Sequence, residues 1–226
     1  MKRKGGLKAQ AQWWLGLGLT LALIYLGWAL VARPSSYPQP ELPAYPCPGK
    51  SDTYEAEGVE VTYRSSGCAR LSSDQAIAAA HTYRDLDGSL QALRLPPLPR
   101  GLRIGLYPAK SSGYELLGRP GGPRAIAIRT ASRQSPLQVQ MAALRALADL
   151  DLQEAAPALD ERSRRALAGA LAAIAAEGRD LDRMIALTMS ADERRALRLL
   201  AGHGPFYLAD TLERRCRARC SWRPLG

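Results

Sequence analysis

The chain contains no asparagine, five lysines against 26 arginines, one phenylalanine, two histidines and four cysteines in 226 residues. The missing asparagine removes every Asn-x-Ser/Thr acceptor, and with it N-glycosylation. Two histidines exclude a His-rich metal site, and four cysteines are too few for a miniprotein held by a disulfide framework. Aromatic residues make up only 6% of the chain, so a core has to be assembled from Leu, Ala, Ile and Val. No G-x-S-x-G elbow, Walker A loop, G-x-G-x-x-G turn or C-x-x-C pair occurs. Loss of thermolabile Asn beside abundant charge fits a thermophile, and a GC-rich bacterial genome raises Arg and Ala in the same way.

What is present starts with a membrane signal. Trp13–Ala32 (WWLGLGLTLALIYLGWALVA) runs twenty residues without a charge. At ~1.5 Å per helical residue it spans ~30 Å, the hydrocarbon thickness of a bilayer. Trp13, Trp14 and Trp28 stand near its ends, where amphipathic rings favour the interface. Lys2, Arg3, Lys4 and Lys8 precede it and only Arg33 follows closely, so the positive-inside rule leaves residues 1–12 in the cytoplasm. A cleaved signal peptide is the competing reading, but the apolar run is too long and a cut after Ala32 puts Leu30 where a small residue is needed. The sequence therefore predicts a single-pass anchor held in membrane lipid, with everything beyond it extracytoplasmic, in the periplasm or on the cell exterior. The net charge is +10, but the part beyond Pro34 holds 26 basic and 21 acidic residues, about +5. With that part outside the membrane, the basic balance does not predict a nucleic-acid partner.

Residues 33–58 read as a stalk, because six prolines fall between Pro34 and Pro48 and favour an extended spacer. Residues 59–226 read as one α+β domain, a small sheet followed by a helix-rich C-terminal half. Val59–Tyr63, Leu102–Tyr107 and Ala125–Arg129 alternate as strands, with Tyr114–Leu117 a weaker fourth. Ser73 is the expected N-cap of a helix to about Arg84, broken near Gly88 and resuming to Leu93. Ser135 and Pro136 open a long helix with a Leu137, Met141, Leu144, Ala148 stripe. Asp160 caps the next, Ser190 and Glu193 form a capping box for another, and Pro205 starts the last, running to about Arg217.

Cys47, Cys68, Cys216 and Cys220 all fall on the predicted outer side, where disulfides persist. A Cys216–Cys220 bond must close within one helical turn, which an undistorted helix does not favour. Cross-pairing that staples the 47–68 segment to the C-terminal helix is the preferred arrangement. One C-x-x-x-C and two distant singles are poor zinc spacing, so no metal and no cofactor is expected. A thiol-redox role would rest only on the arginines Arg214, Arg215, Arg217 and Arg219 around Cys216. His81 and His203 have no nucleophile at motif spacing and read as structural. Asp85, Asp87, Asp149 and Asp151 form close pairs that read as helix ends and solvated faces. The RLPPLPR run at 94–100 reads as a helix-to-strand connector rather than a ligand for a proline-binding domain.

The element order from 73 to 215, with ALAGALA at 166–172, resembles the layout of membrane-associated gluzincin-type metallopeptidase domains. Such families carry HExxH on the long helix and a glutamate in a WLxEGLA-like segment. Here those places hold Met141-Ala142-Ala143-Leu144-Arg145 and Gly169, so the resemblance implies a relative that binds rather than cuts. No catalytic residue is assigned. The sequence predicts a non-catalytic binding or accessory protein, a subunit or assembly factor of a membrane or envelope complex, with a protein partner in the membrane or envelope. An envelope hydrolase acting on peptidoglycan or peptides is the alternative. A cleft with two carboxylates of perturbed pKa would favour the hydrolase, and an exposed apolar patch the binding module.

Overall fold

The computed structural model describes residues 39–46, 48–67, 70–131, 133–176, 187–203 and 207–215, with 213–215 described by backbone only. The predicted anchor Trp13–Ala32 and all four cysteines lie outside the described residues. Among those described, no helix is long and apolar enough to cross a membrane.

The described residues form an α+β domain with a five-stranded mixed sheet and five helices. The strands are β1 (Ser51–Ala56), β2 (Val59–Arg64), β3 (Leu102–Pro108), β4 (Gly113–Leu117) and β5 (Ala125–Thr130). The helices are α1 (Ser73–Ala92), α2 (Pro136–Ala155), α3 (Glu161–Ala175), α4 (Ala191–His203) and α5 (Tyr207–Arg215). Strand order is β1-β2-β3-β5-β4, with β2, β3 and β5 parallel and each edge strand antiparallel to its neighbour.

Local chemistry explains most boundaries. Ser72, one residue before the expected cap, accepts from Gln75 N while the Gln75 side chain returns to Ser72 N, a reciprocal capping box. The helix it opens continues past Gly88 to Ala92 without a break, because nothing within 4 Å crowds that exposed glycine and Leu86 and Leu90 on either side are fully buried. Ser135 with Gln138, Asp160 with Ser163, and Ser190 with Glu193 cap the helices expected of them. The 94–100 run is the expected connector, pinned by Leu95 and Leu98 in the core and by the Tyr83 hydroxyl donating to Leu98 O at 3.1 Å.

Helices α1 and α2 pack on one face of the sheet against Val61, Ile104, Leu106, Ile126 and Ile128, all buried. Helix α3 packs on α2 as a further layer, so α2 is enclosed and buries Leu144, Leu147, Leu150 and Leu152 around much of its circumference.

The opposite face is covered by residues that read as stalk. The Tyr107 hydroxyl donates to Pro43 O at 2.8 Å, and the Tyr45 ring stacks on Tyr107 at 4.8 Å. The Arg64 guanidinium lies 4.5 Å from the centre of the Tyr45 ring, a cation–π contact. Gly105 leaves room for the Tyr107 ring to lie flat over β3. Residues 39–46 thus form a strap on the sheet, and β1 follows within the span read as stalk. The domain therefore begins about twenty residues before Val59.

Candidate functional site

Edge strand β4 and helices α2, α3 and α4 enclose a cleft of about 700 Å³. Tyr114 from β4, Arg145 from α2, Arg162 and Arg165 from α3, and Asp192 and Glu193 from α4 line it. Arg145 and Asp149 stand one helical turn apart on α2, so a polar stripe runs down an otherwise apolar helix toward α3 and α4.

At the inner end, Arg145 Nε faces Glu193 Oε1 at 2.7 Å as an ion pair without hydrogen-bond alignment. Its Nη2 donates to Glu193 Oε2 at 3.2 Å and to the Thr188 carbonyl at 2.5 Å. Glu193 also accepts from Ser190 N at 2.6 Å, so one carboxylate both caps α4 and ties it to α2. Gly169 of α3 lies directly beneath this carboxylate, and a side-chain carbon there would collide with it. A second buried pair, Arg164 with Asp149, stands beside it, and the Tyr114 hydroxyl donates to Asp149 Oδ2 at 3.1 Å. Burial first, and then the Asp149 charge, push the Tyr114 hydroxyl above its ordinary pKa, so it stays a donor.

The outer rim is solvated. Arg162 donates to Asp192 through Nε at 2.8 Å and Nη2 at 3.2 Å, which holds the Asp192 carboxyl below its usual range. Arg165 pairs with Glu161 across one turn of α3, both well exposed.

The metal ligands that the resemblance calls for are replaced in kind. Arg145 and Gly169 both lie against the Glu193 carboxylate, and Met141 is buried in the core. A guanidinium, a thioether and a glycine do not fit zinc. Among the described residues no group of three or more His, Cys, Asp or Glu stands close enough to hold a metal.

Other candidates lie elsewhere. His203 is exposed on α4 and stacks on Tyr207 at 4.3 Å, whereas His81 sits half-buried on α1 with its Nδ1 enclosed. Asp87 accepts from Leu98 N at 3.0 Å and holds the connector. Asp149 and Asp151, read as solvated, are 2% and 3% exposed: Asp149 is covered by Arg164 of α3 and Tyr114 of β4, and Asp151, on the other side of α2, lies near Asp87 of α1. Asp151 is pushed up to about 7, first by burial and then by the charges of Asp87 and Glu154, but it is outside the cleft lining. Leu187 is the one large apolar side chain exposed among the described residues. No protein-family model, no curated protein and no solved structure matches this chain.

Proposed function

We propose that this chain is a single-pass membrane protein whose extracytoplasmic domain binds an extended segment of a protein partner and catalyses nothing. The observation that carries the reading is the inner end of the cleft, where Arg145 and Glu193 pair closely over Gly169. Both charges are spent on each other and on helix α4, so neither is free to act as acid, base or ligand. The rest of the cleft suits recognition. Strand β4 is an edge of the sheet, so its outer main-chain groups can pair with an added strand, and the solvated Arg162–Asp192 and Arg165–Glu161 pairs at the rim can exchange partners with charges on that strand.

The charge-free run Trp13–Ala32, read as an anchor, supports an extracytoplasmic position for this domain and with it a role as subunit or assembly factor of a membrane or envelope complex. The hydrolase reading has less support, since the raised carboxyl of Asp151 is outside the cleft and Asp192 within it is lowered.

The test is purification of the full chain from native membranes in mild detergent, beside an Arg162→Glu/Arg165→Glu variant. These exposed side chains can change sign without disturbing the core. A stoichiometric companion is expected with the parent chain and a loss of at least ten-fold with the variant. Equal recovery with both would remove the cleft from the interaction, and turnover of peptidoglycan or peptides by the purified chain would overturn the non-catalytic reading.

A further inference from the structure

We propose that the sheet face opposite the helices is a polyproline-recognition groove. The chain fills it with its own strap, and a proline-rich segment of a partner protein, with an aromatic residue two positions after a proline, takes the strap's place. The groove is separate from the β4 cleft and does not depend on the reading of that cleft.

The strap docks as polyproline ligands do, through side chains and an accepting carbonyl rather than by strand pairing. Pro40, Pro43 and Pro46 recur every third residue in QPELPAYP, the period of polyproline II. Leu42 and Tyr45, also three apart, are half-buried, whereas Glu41, Pro43, Ala44 and Pro46 are exposed. Among the described residues no backbone-to-backbone hydrogen bond joins strap and sheet. The Tyr107 hydroxyl instead donates to Pro43 O at 2.8 Å, the Tyr45 ring stacks on Tyr107, and the Arg64 guanidinium lies over the Tyr45 ring. The floor is shallow because Gly105 of β3 stands in register with Ala127 of β5, and a side-chain carbon at Gly105 would collide with the Tyr107 ring. At the other end Pro40 packs beside Gly118, its Cγ 3.4 Å from where a side-chain carbon would stand.

As a ligand for this groove the strap fits imperfectly. The Tyr45 hydroxyl is enclosed and, among the described residues, has no hydrogen-bond partner. Burial pushes it above its ordinary pKa, so it keeps a proton that no acceptor takes. An enclosed donor without an acceptor weakens binding, and no residue of the strap is fully buried. A segment with Phe at this position makes the same stack without that loss. What favours the strap is its attachment to the domain, which keeps it at high effective concentration until a better-fitting segment displaces it.

The test uses the full chain in mild detergent and three fluorescein-labelled octapeptides. They are QPQLPAYP, the strap with Gln for Glu41, then QPQLPAFP, and QAQLAAYA, which lacks the prolines. Leu42→Ala/Tyr45→Ala in the chain's own strap should raise affinity for QPQLPAYP about ten-fold over the parent chain, by weakening the attached competitor. On that variant QPQLPAFP should bind about three-fold more tightly than QPQLPAYP. QAQLAAYA should bind about ten-fold more weakly, having lost the preformed extended helix. Adding Tyr107→Phe should weaken binding about five-fold, the effect of one hydrogen bond. Equal affinity of parent and variant for QPQLPAYP, or of the variant for QPQLPAYP and QAQLAAYA, would overturn the groove. Equal binding of the Tyr and Phe peptides would overturn the aromatic preference. The parent chain supplies a second measurement that needs no substitution. Excess unlabelled QPQLPAFP should speed cleavage at Glu41 by a glutamate-specific protease, and an unchanged rate would overturn displacement of the strap.

Discussion

Asp151 is the residue at which burial and charge conflict most directly. It is 3% exposed, its Oδ2 has no hydrogen-bond partner, and the carboxyl is pushed up to about 7 by burial and by the nearby Asp87 and Glu154. An acid whose folded pKa lies above its unfolded value holds its proton more tightly when folded. Its contribution to stability is therefore greatest below the ordinary 3.8 and is lost as pH rises through about 7. Asp151→Asn, which cannot titrate, should match the parent near pH 4 and exceed it by roughly 2–4 kcal/mol at pH 8. Urea unfolding of the detergent-solubilised chain at the two pH values measures this. A difference of the same size at both would show that ionisation of Asp151 is not the cause. The sequence placed this residue in solvent because Leu and Asp alternate through LADLDLQ, and nothing in that run reveals the packing that buries it. The same blindness applied to Glu193. Its capping role was legible from Ser190 three residues earlier, whereas its partner Arg145 comes from a helix 48 residues away.

At the scale of elements, legibility followed the apolar pattern. Strands β2, β3 and β5 were readable because Val, Leu and Ile alternate or cluster where each faces α1 and α2. Strand β1 was missed because SDTYEA presents no apolar alternation and its edge position buries no residue fully. The signal that could have found it is Glu57-Gly58, a two-residue turn with positive φ at both positions (55° and 89°), as the hairpins that match strand twist require. The strap was likewise read as a free spacer, since six prolines exclude helix and central strand but do not exclude docking. What docks it is Tyr107, whose hydroxyl burial raises to about 12, so it remains a donor to Pro43 O. Tyr107→Phe removes that bond while keeping the stack on Tyr45. It should cost about 1 kcal/mol and raise the rate at which a glutamate-specific protease cuts at Glu41. An unchanged cleavage rate would mean that the hydrogen bond does not hold the strap.

For the whole molecule, the same face that covers the sheet also sets the polarity of the domain. The strap occupies one face of the sheet and the helices the other, which leaves the two edges as the main-chain surfaces a partner strand can reach. The β1 edge belongs to the hairpin next to the strap, and the β4 edge borders the cleft with its arginine rim. Function was the least legible level, because no motif along the chain names a chemistry. The Arg145–Glu193 pair over Gly169 could not be read from sequence either, since it depends on a register between α2, α3 and α4 that no sequence spacing encodes.

The most direct test of binding at this site is a photo-crosslinking amino acid placed in the full chain in intact cells. It is inserted once at Glu115 on β4 and once at Glu55 on β1, both away from the core. Illumination should give a discrete adduct of higher mass from position 115 and none from position 55. An adduct from position 55 alone, or none from either beside a companion that still co-purifies, would contradict binding along β4.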